Sequence, residues 1–195
     1  MIRFYTSRDL ARRFKINLAK WKRWAREFLP PDPLGGMQSG YARQYHPDQA
    51  FSVLVGGHLV ADHKFSIPQA RRVLADLKPW MRHNGFFYGA SVSRAAVNQG
   101  TDLPNAECRI LIYQLKNDEL YYTICSRFHR TVSVTGKEVM VSDRFLEIRI
   151  PEQHGCPEEE APCGCCVIFL MRLLKFFTEA LDLPAEHYAA LNGVK

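Results

Sequence analysis

The chain has 195 residues, 47% of them hydrophobic and 24% charged, with a formal net charge of +6. This composition is typical of a folded globular protein and excludes a wholly disordered or fibrous chain. The longest purely apolar run, Cys165 to Met171, is far shorter than the roughly 18 residues of a membrane-spanning helix, and the N-terminus lacks the apolar core of a signal peptide. We therefore expect a soluble, cytoplasmic protein whose cysteines are reduced thiols rather than disulfides.

Positive charge is concentrated in the first part of the chain. Residues 1–80 carry 14 Lys and Arg against 6 Asp and Glu, whereas residues 81–195 carry 12 against 14. Between Arg3 and Arg26 there are nine basic residues and a single acid. Such a block is typical of a protein that binds a phosphate backbone, although a solvated helical face is the simpler alternative.

Capping residues and hydrophobic spacing predict four helices in residues 1–80. The first two, over 7–14 and 18–29, have Thr6 and Asn17 as N-caps. A glycine-containing loop then resembles a wing, and two more helices are expected over about 47–63 and 67–77. Pro79 marks the expected end of this domain.

The period of the apolar pattern changes to two from Cys108 onward, which indicates strands. Antiparallel strands are predicted over 108–115, 119–128, 131–134, 138–141 and 144–150, followed by an apolar helix over 167–181 and a shorter final one from Pro184. The sequence thus predicts an α+β protein: a helical winged helix-turn-helix domain over 1–80, an irregular linker with a short helix at 93–98 within 81–107, and a small antiparallel-sheet and helix domain over 108–195.

The ordered set of N-terminal segments resembles the DNA-binding domain of the MerR family of transcription regulators. FYTSRDLARRF matches the first helix, NLAKWKRWAREFLPP the recognition helix, GYARQY the wing and FSIPQARRVLADL the following helix. The resemblance covers residues 3–78, about two-fifths of the chain. Relatives prefer Gly where this chain has Lys15, and their long dimerising helix is expected to be interrupted here by Pro79 and Gly85.

A recognition helix reads base edges with side chains near its N-terminal end, while other basic side chains bind phosphates. Asn17, Lys20 and Arg23 are the candidates for base readout. By resemblance, Lys22 and Trp24 occupy positions that face DNA in the family, although the spacing of Trp24 also fits a core residue. Further DNA contacts are expected from the remaining candidates, which are Arg13, Lys15, Tyr41, Arg43, Tyr45 and Lys64.

Four of the six cysteines fall within eleven residues: Cys156, Cys163, Cys165 and Cys166. Thiolates this close together could hold Zn²⁺, Cu(I) or an iron–sulfur cluster, and a position at the start of the predicted helix would lower the pKa of the last two. The alternative is that these two begin a buried helix while Cys156 and Cys163 are loop residues. Cys108 and Cys125 are predicted to be core residues of the sheet.

The sequence contains no phosphate-binding glycine loop, nucleophile motif or other spacing tied to a catalytic mechanism, so we do not expect an enzyme. The leading hypothesis is a sequence-specific, MerR-like transcription regulator whose C-terminal module senses a ligand, metal or redox signal, or mediates assembly. Its expected partners are double-stranded DNA, a second copy of the chain and, by family resemblance, RNA polymerase. The alternatives are a metal- or thiol-redox protein that docks on nucleic acid, and an excisionase-like architectural protein without an effector.

Overall fold

The computed structural model describes residues 4–32, 42–90, 105–115, 118–134, 137–150 and 164–191. Within these ranges the chain forms five α-helices and two antiparallel sheets, which confirms the α+β class. No helix in this part of the chain is long and apolar enough to cross a membrane. The helix predicted at 93–98 lies outside the described residues.

The N-terminal elements are β1 (Tyr5–Thr6), α1 (Ser7–Arg13), α2 (Leu18–Phe28), β2 (Gln44–Tyr45), α3 (Pro47–Ala61) and α4 (Ile67–His83). Both predicted caps are confirmed. Thr6 forms a capping box with Asp9, and the Asn17 side chain accepts hydrogen bonds from the main-chain N–H groups of Ala19 and Lys20. The two short strands pair antiparallel, with Tyr5 opposite Tyr45.

Helix α4 is longer than the sequence predicts, because it continues through Pro79 to His83. Its buried stripe includes Leu77 before the proline and Met81 after it, so packing on both sides offsets the hydrogen bond that proline cannot donate. The interruption expected at Pro79 is therefore wrong. The helix ends just before Gly85, whose φ of +73° suits the residue that follows a helix.

The larger sheet consists of β3 (Asn105–Gln114), β4 (Leu120–Val134), β5 (Lys137–Ile150) and β6 (Gly164–Phe169), in the order β5-β4-β3-β6. All neighbours are antiparallel. The segments predicted at 119–128 and 131–134 are one strand, which continues across an irregularity between Arg130 and Thr131. Those predicted at 138–141 and 144–150 likewise form the single strand β5.

Strand β6 corrects the predicted start of the C-terminal helix. Residues 167–169 belong to this strand, where Ile168 is opposite Ile110 of β3, and the helix α5 begins only at Leu170 and ends at Leu181. A short apolar run suits a strand or a helix equally, so pairing with β3 decides the outcome. After Pro184 the chain forms two short 3₁₀ helices, Ala185–His187 and Ala189–Leu191.

The chain divides into two compact units, one comprising residues 1–82 and 176–184 and the other residues 83–175 and 185–195. The sequence placed 176–184 with the sheet, whereas the structure groups it with the N-terminal helices. Phe177 explains this grouping, because its ring is 5.7 Å from that of Phe14 and 5.1 Å from that of Phe51. In addition, the Tyr5 hydroxyl donates a hydrogen bond of 3.1 Å to the Leu181 carbonyl.

Candidate nucleic-acid interface

The first unit contains two helices joined by a tight turn. After α1, the main-chain N–H of Ile16 donates to the Ala11 carbonyl at 2.8 Å, and Lys15 adopts a left-handed backbone with φ of +54°. Glycine favours this conformation. The ring of Phe14 lies 5.6 Å from that of Trp21, so side-chain packing also holds the turn.

Helix α2 has one buried face and one charged face. Trp21, Trp24 and Ala25 are buried, whereas Lys22, Arg23 and Arg26 are exposed. Because residues three and four apart share a helical face, Lys22 and Arg26 point in the same direction and Arg23 lies beside them. The helix therefore carries three exposed cations on the side opposite its core contacts; we call these three residues the basic face.

A groove of about 640 Å³ borders the basic face. Four basic side chains from three segments line it, namely Arg8 of α1, Lys22 and Arg26 of α2, and Arg43 just before β2. Asp32 is the acidic residue among the lining residues. The groove is thus predominantly cationic, which suits it to phosphate oxygens.

Arg8 and Arg26 are absent from the candidates chosen from the sequence. The signal for Arg26 was available, since it follows Lys22 by four residues and so shares its face. Arg8 belongs to a different helix, and its approach to α2 depends on the packing of α1 against α2. That tertiary relationship has no signature in local sequence spacing.

Two predicted DNA contacts are core residues in the structure. Trp24 is 5% exposed and packs on the Cα of Gly57 in α3, so its assignment as a DNA contact is corrected. Tyr45 is 2% exposed, and its hydroxyl oxygen lies 2.9 Å from that of Ser7, so it is a structural residue as well. Tyr41 lies outside the described residues.

Several other candidates bind groups within the first unit. The Arg13 guanidinium donates to the Asp182 carboxylate at 2.8 Å and to the Ala180 carbonyl at 2.9 Å. Asn17 uses its side-chain oxygen as the cap of α2. Arg13 and Asn17 therefore have structural roles. Their prediction as DNA contacts did not include these roles.

The remaining basic candidates are accessible, and three of them also contact groups within the chain. The Lys64 amine donates to the Ala61 carbonyl at 2.5 Å, and the Arg43 guanidinium donates to the Pro30 carbonyl at 3.0 Å. The Lys20 amine lies 4.9 Å from the centre of the Trp24 ring, a distance typical of a cation–π contact. Lys15, Lys20 and Lys64 are all exposed.

The structure corrects the proposed environment of two cysteines. Cys165 and Cys166 lie within β6 rather than at a helix start, so neighbouring thiols point to opposite faces of the sheet. Burial, assisted by the nearby Cys165, raises the pKa of the Cys166 thiol to about 11, the reverse of the predicted lowering. Cys156 and Cys163 lie outside the described residues, among which no group of three or more His, Cys, Asp or Glu side chains could hold a metal ion.

The two cysteines predicted to be core residues differ in the structure. Cys108 is 1% exposed and confirms the prediction, and its burial raises the pKa of the thiol to about 12. Cys125 is half-buried. Burial also raises its pKa, as does the charge of Glu147.

Comparison with known proteins adds no relative from which a function could be transferred. No protein-family model, curated protein or solved structure matches the chain.

Proposed function

We propose that the protein is a sequence-specific, double-stranded-DNA-binding transcription regulator of MerR-like type. The observation that carries this proposal is the basic face of α2, whose Lys22, Arg23 and Arg26 are exposed on a helix that is fixed by buried tryptophans on its other side. An α-helix fits the major groove of B-form DNA. In a helix-turn-helix arrangement, α1 would lie across the backbone and α2 would enter that groove.

The positions of the cations determine which of them would contact bases and which would contact phosphates. Lys20 lies in the first half of α2 and Arg23 at its centre, and the N-terminal part of a recognition helix is the part that reaches base edges. Arg8, Arg26 and Arg43 surround the groove beside α2, where they would neutralise phosphates of one strand. Base contacts supply sequence preference, whereas phosphate contacts supply affinity that falls as salt rises.

The second unit would then sense a ligand, metal or redox signal, or join two copies of the chain. A symmetric dimer would present two α2 helices to successive major grooves, which are separated by about 34–36 Å. The family resemblance further suggests RNA polymerase as a partner. The four-stranded sheet of this unit provides a scaffold for either role, and the proposed DNA binding by the first unit does not depend on which role applies.

Fluorescence anisotropy with duplexes selected from a randomised pool, measured at several salt concentrations, tests the proposal. We expect Lys20→Ala/Arg23→Ala to lower the affinity for the selected duplex by at least about tenfold more than the affinity for random DNA. Arg8→Ala/Arg26→Ala should lower the affinity for both duplexes alike. It should also reduce, by about 2, the magnitude of the slope of log K against log salt concentration. Lys78→Ala/Arg82→Ala is the charge-matched control, since both residues are exposed on α4 and lie outside the groove lining.

The wild-type chain and the control variant must give nearly the same affinity. Retained sequence preference in Lys20→Ala/Arg23→Ala would exclude α2 as the reading helix. Equal loss from Lys78→Ala/Arg82→Ala would show that net charge, rather than the basic face, governs binding.

A further inference from the structure

The C-terminal end of α3 brings two histidines together. His58 lies in the last turn of the helix and His63 in the turn that follows. Main-chain hydrogen bonds define this turn, with the N–H of Asp62 donating to the His58 carbonyl at 2.9 Å and that of Phe65 to the Leu59 carbonyl at 3.1 Å. These bonds fix the backbone positions of His58 and His63 relative to each other.

The two rings face each other through one nitrogen each. His58 Nε2 and His63 Nε2 are 3.2 Å apart, and the rings are nearly perpendicular, at 89°. A hydrogen bond at this distance requires a hydrogen on one nitrogen and a lone pair on the other. Two protonated imidazolium groups would instead repel each other at this point.

Asp62 selects the tautomer of His58. Its carboxylate lies 2.6 Å from His58 Nδ1, so Nδ1–H donates to the carboxylate and Nε2 of the neutral ring carries the lone pair. With Nδ1–H held by the carboxylate, the lone pair on Nε2 of His58 is the one available to bind a metal ion.

From this geometry we propose a metal site at the end of α3, in which Nε2 of His58 and Nε2 of His63 together bind a divalent transition-metal ion such as Zn²⁺. Two nitrogens bound to one tetrahedral Zn²⁺ at 2.0–2.1 Å are separated by about 3.3 Å, close to the 3.2 Å observed. The ion would replace the hydrogen shared by the two rings. Imidazole is a preferred ligand of Zn²⁺, Ni²⁺ and Cu²⁺.

The surroundings fit an accessible site with an oriented ligand. A carboxylate that accepts the Nδ1–H of a metal-binding histidine fixes the ring and increases its basicity, and Asp62 occupies that position. The side chains of His58 and Asp62 are 26% and 63% exposed, so solvent reaches the site. Two tetrahedral positions would be filled by water or by a donor from another molecule, and this proposal is independent of DNA binding.

Titration of the full, metal-free chain with ZnCl₂ in a calorimeter tests the site. His58→Gln and His63→Gln should each weaken binding by at least about tenfold, and Asp62→Asn by about tenfold through loss of the oriented ring. His83→Gln, at an exposed histidine, is the matched control and should leave the affinity unchanged. Zn²⁺ should raise the Tm of the wild-type chain and of the control, but not of His58→Gln.

Substitution with Co²⁺ separates this site from the cysteine cluster. Histidine and water ligands give only weak visible bands, whereas thiolates give intense near-ultraviolet charge-transfer bands. Thiolate bands that disappear in Cys165→Ser would overturn the proposal, as would unchanged affinity in His58→Gln or no binding by the wild-type chain at millimolar ZnCl₂. If circular dichroism shows that His63→Gln does not fold, the Zn²⁺ affinities of Asp62→Asn and His58→Gln test the site instead.

Discussion

The indole of Trp24 lies directly on the Cα of Gly57. A Cβ added at Gly57 would overlap the six-membered ring of the indole, with Trp24 Cδ2 only 2.7 Å away. The next glycine is enclosed in a similar way, since a Cβ at Gly56 would lie 2.7 Å from Phe28 and 2.9 Å from Leu74. Helix α3 therefore uses two adjacent glycines, at some cost in helix propensity, to let α2 approach closely.

Gly57→Ala should consequently destabilise the protein even though alanine favours helices. Overpacking of a buried contact costs about 1–3 kcal/mol, which outweighs the gain of up to about 1 kcal/mol in helix propensity. Urea denaturation measures the difference. Gly164→Ala is the control, because no atom lies within 4 Å of a Cβ added there, and an equal loss in both variants would contradict the close contact.

Arg13→Ala should affect stability more than DNA affinity. Its guanidinium binds Asp182 and the Ala180 carbonyl, so the substitution should cost about 1 kcal/mol. A double-mutant cycle with Asp182→Asn would isolate the ion-pair contribution.

Arg12→Ala provides the matched comparison for this prediction. The Arg12 side chain is 76% exposed and lies 3.6 Å from Asp9, and such surface pairs contribute little. If Arg13→Ala instead lowered DNA affinity while leaving unfolding unchanged, the direct DNA contact indicated by the sequence would be the better assignment.

Local features of this fold were predictable from the sequence because their partners lie nearby in the chain. The capping box joins Thr6 to Asp9, and Asn17 caps nitrogens two and three residues later. The change of apolar period near Cys108 likewise located β3. In each case the interaction that forms the element is encoded within a few residues.

Features that depend on distant partners were not predictable in the same way. The segment Gly164–Phe169 is a strand because it pairs with β3, whose residues lie 50 to 60 positions earlier in the chain. The spacing of Trp24 fitted either the core or the DNA-facing side of α2, and only the presence of Gly57 in α3 decides between them. The inclusion of Arg8 in the groove similarly follows from the packing of helices, for which the sequence gives no local signal.

Lys15→Gly should maintain or increase stability. The lysine has φ of +54°, and a non-glycine residue in the left-handed region costs about 1 kcal/mol, which glycine avoids at the expense of a more flexible unfolded chain. We expect the free energy of unfolding to change by between about 0 and +1 kcal/mol. Ala19→Gly, on the exposed side of α2, should instead cost about 1 kcal/mol, and a comparable loss in Lys15→Gly would argue against the left-handed turn.

The buried thiol of Cys108 should make the protein less stable at alkaline pH. Burial raises its pKa to about 12 in the folded chain, whereas an unfolded chain has a cysteine pKa of about 8.5. Below the unfolded value the thiol is protonated in both states. As pH rises from about 9 towards 12, only the unfolded chain releases the proton, so folding loses about 1–2 kcal/mol by pH 10.

Far-ultraviolet circular dichroism during urea denaturation at pH 8, 9 and 10 measures this loss. Other side chains also titrate in alkaline solution, so we compare the slope of the free energy of unfolding against pH between the wild-type chain and each variant. Cys108→Ala should lose stability less steeply with pH than the wild-type chain, although its cavity lowers stability at every pH. Cys165→Ala, which removes an exposed thiol, should retain the wild-type slope. Identical slopes in all three proteins would show that the Cys108 thiol is not the group that titrates on unfolding.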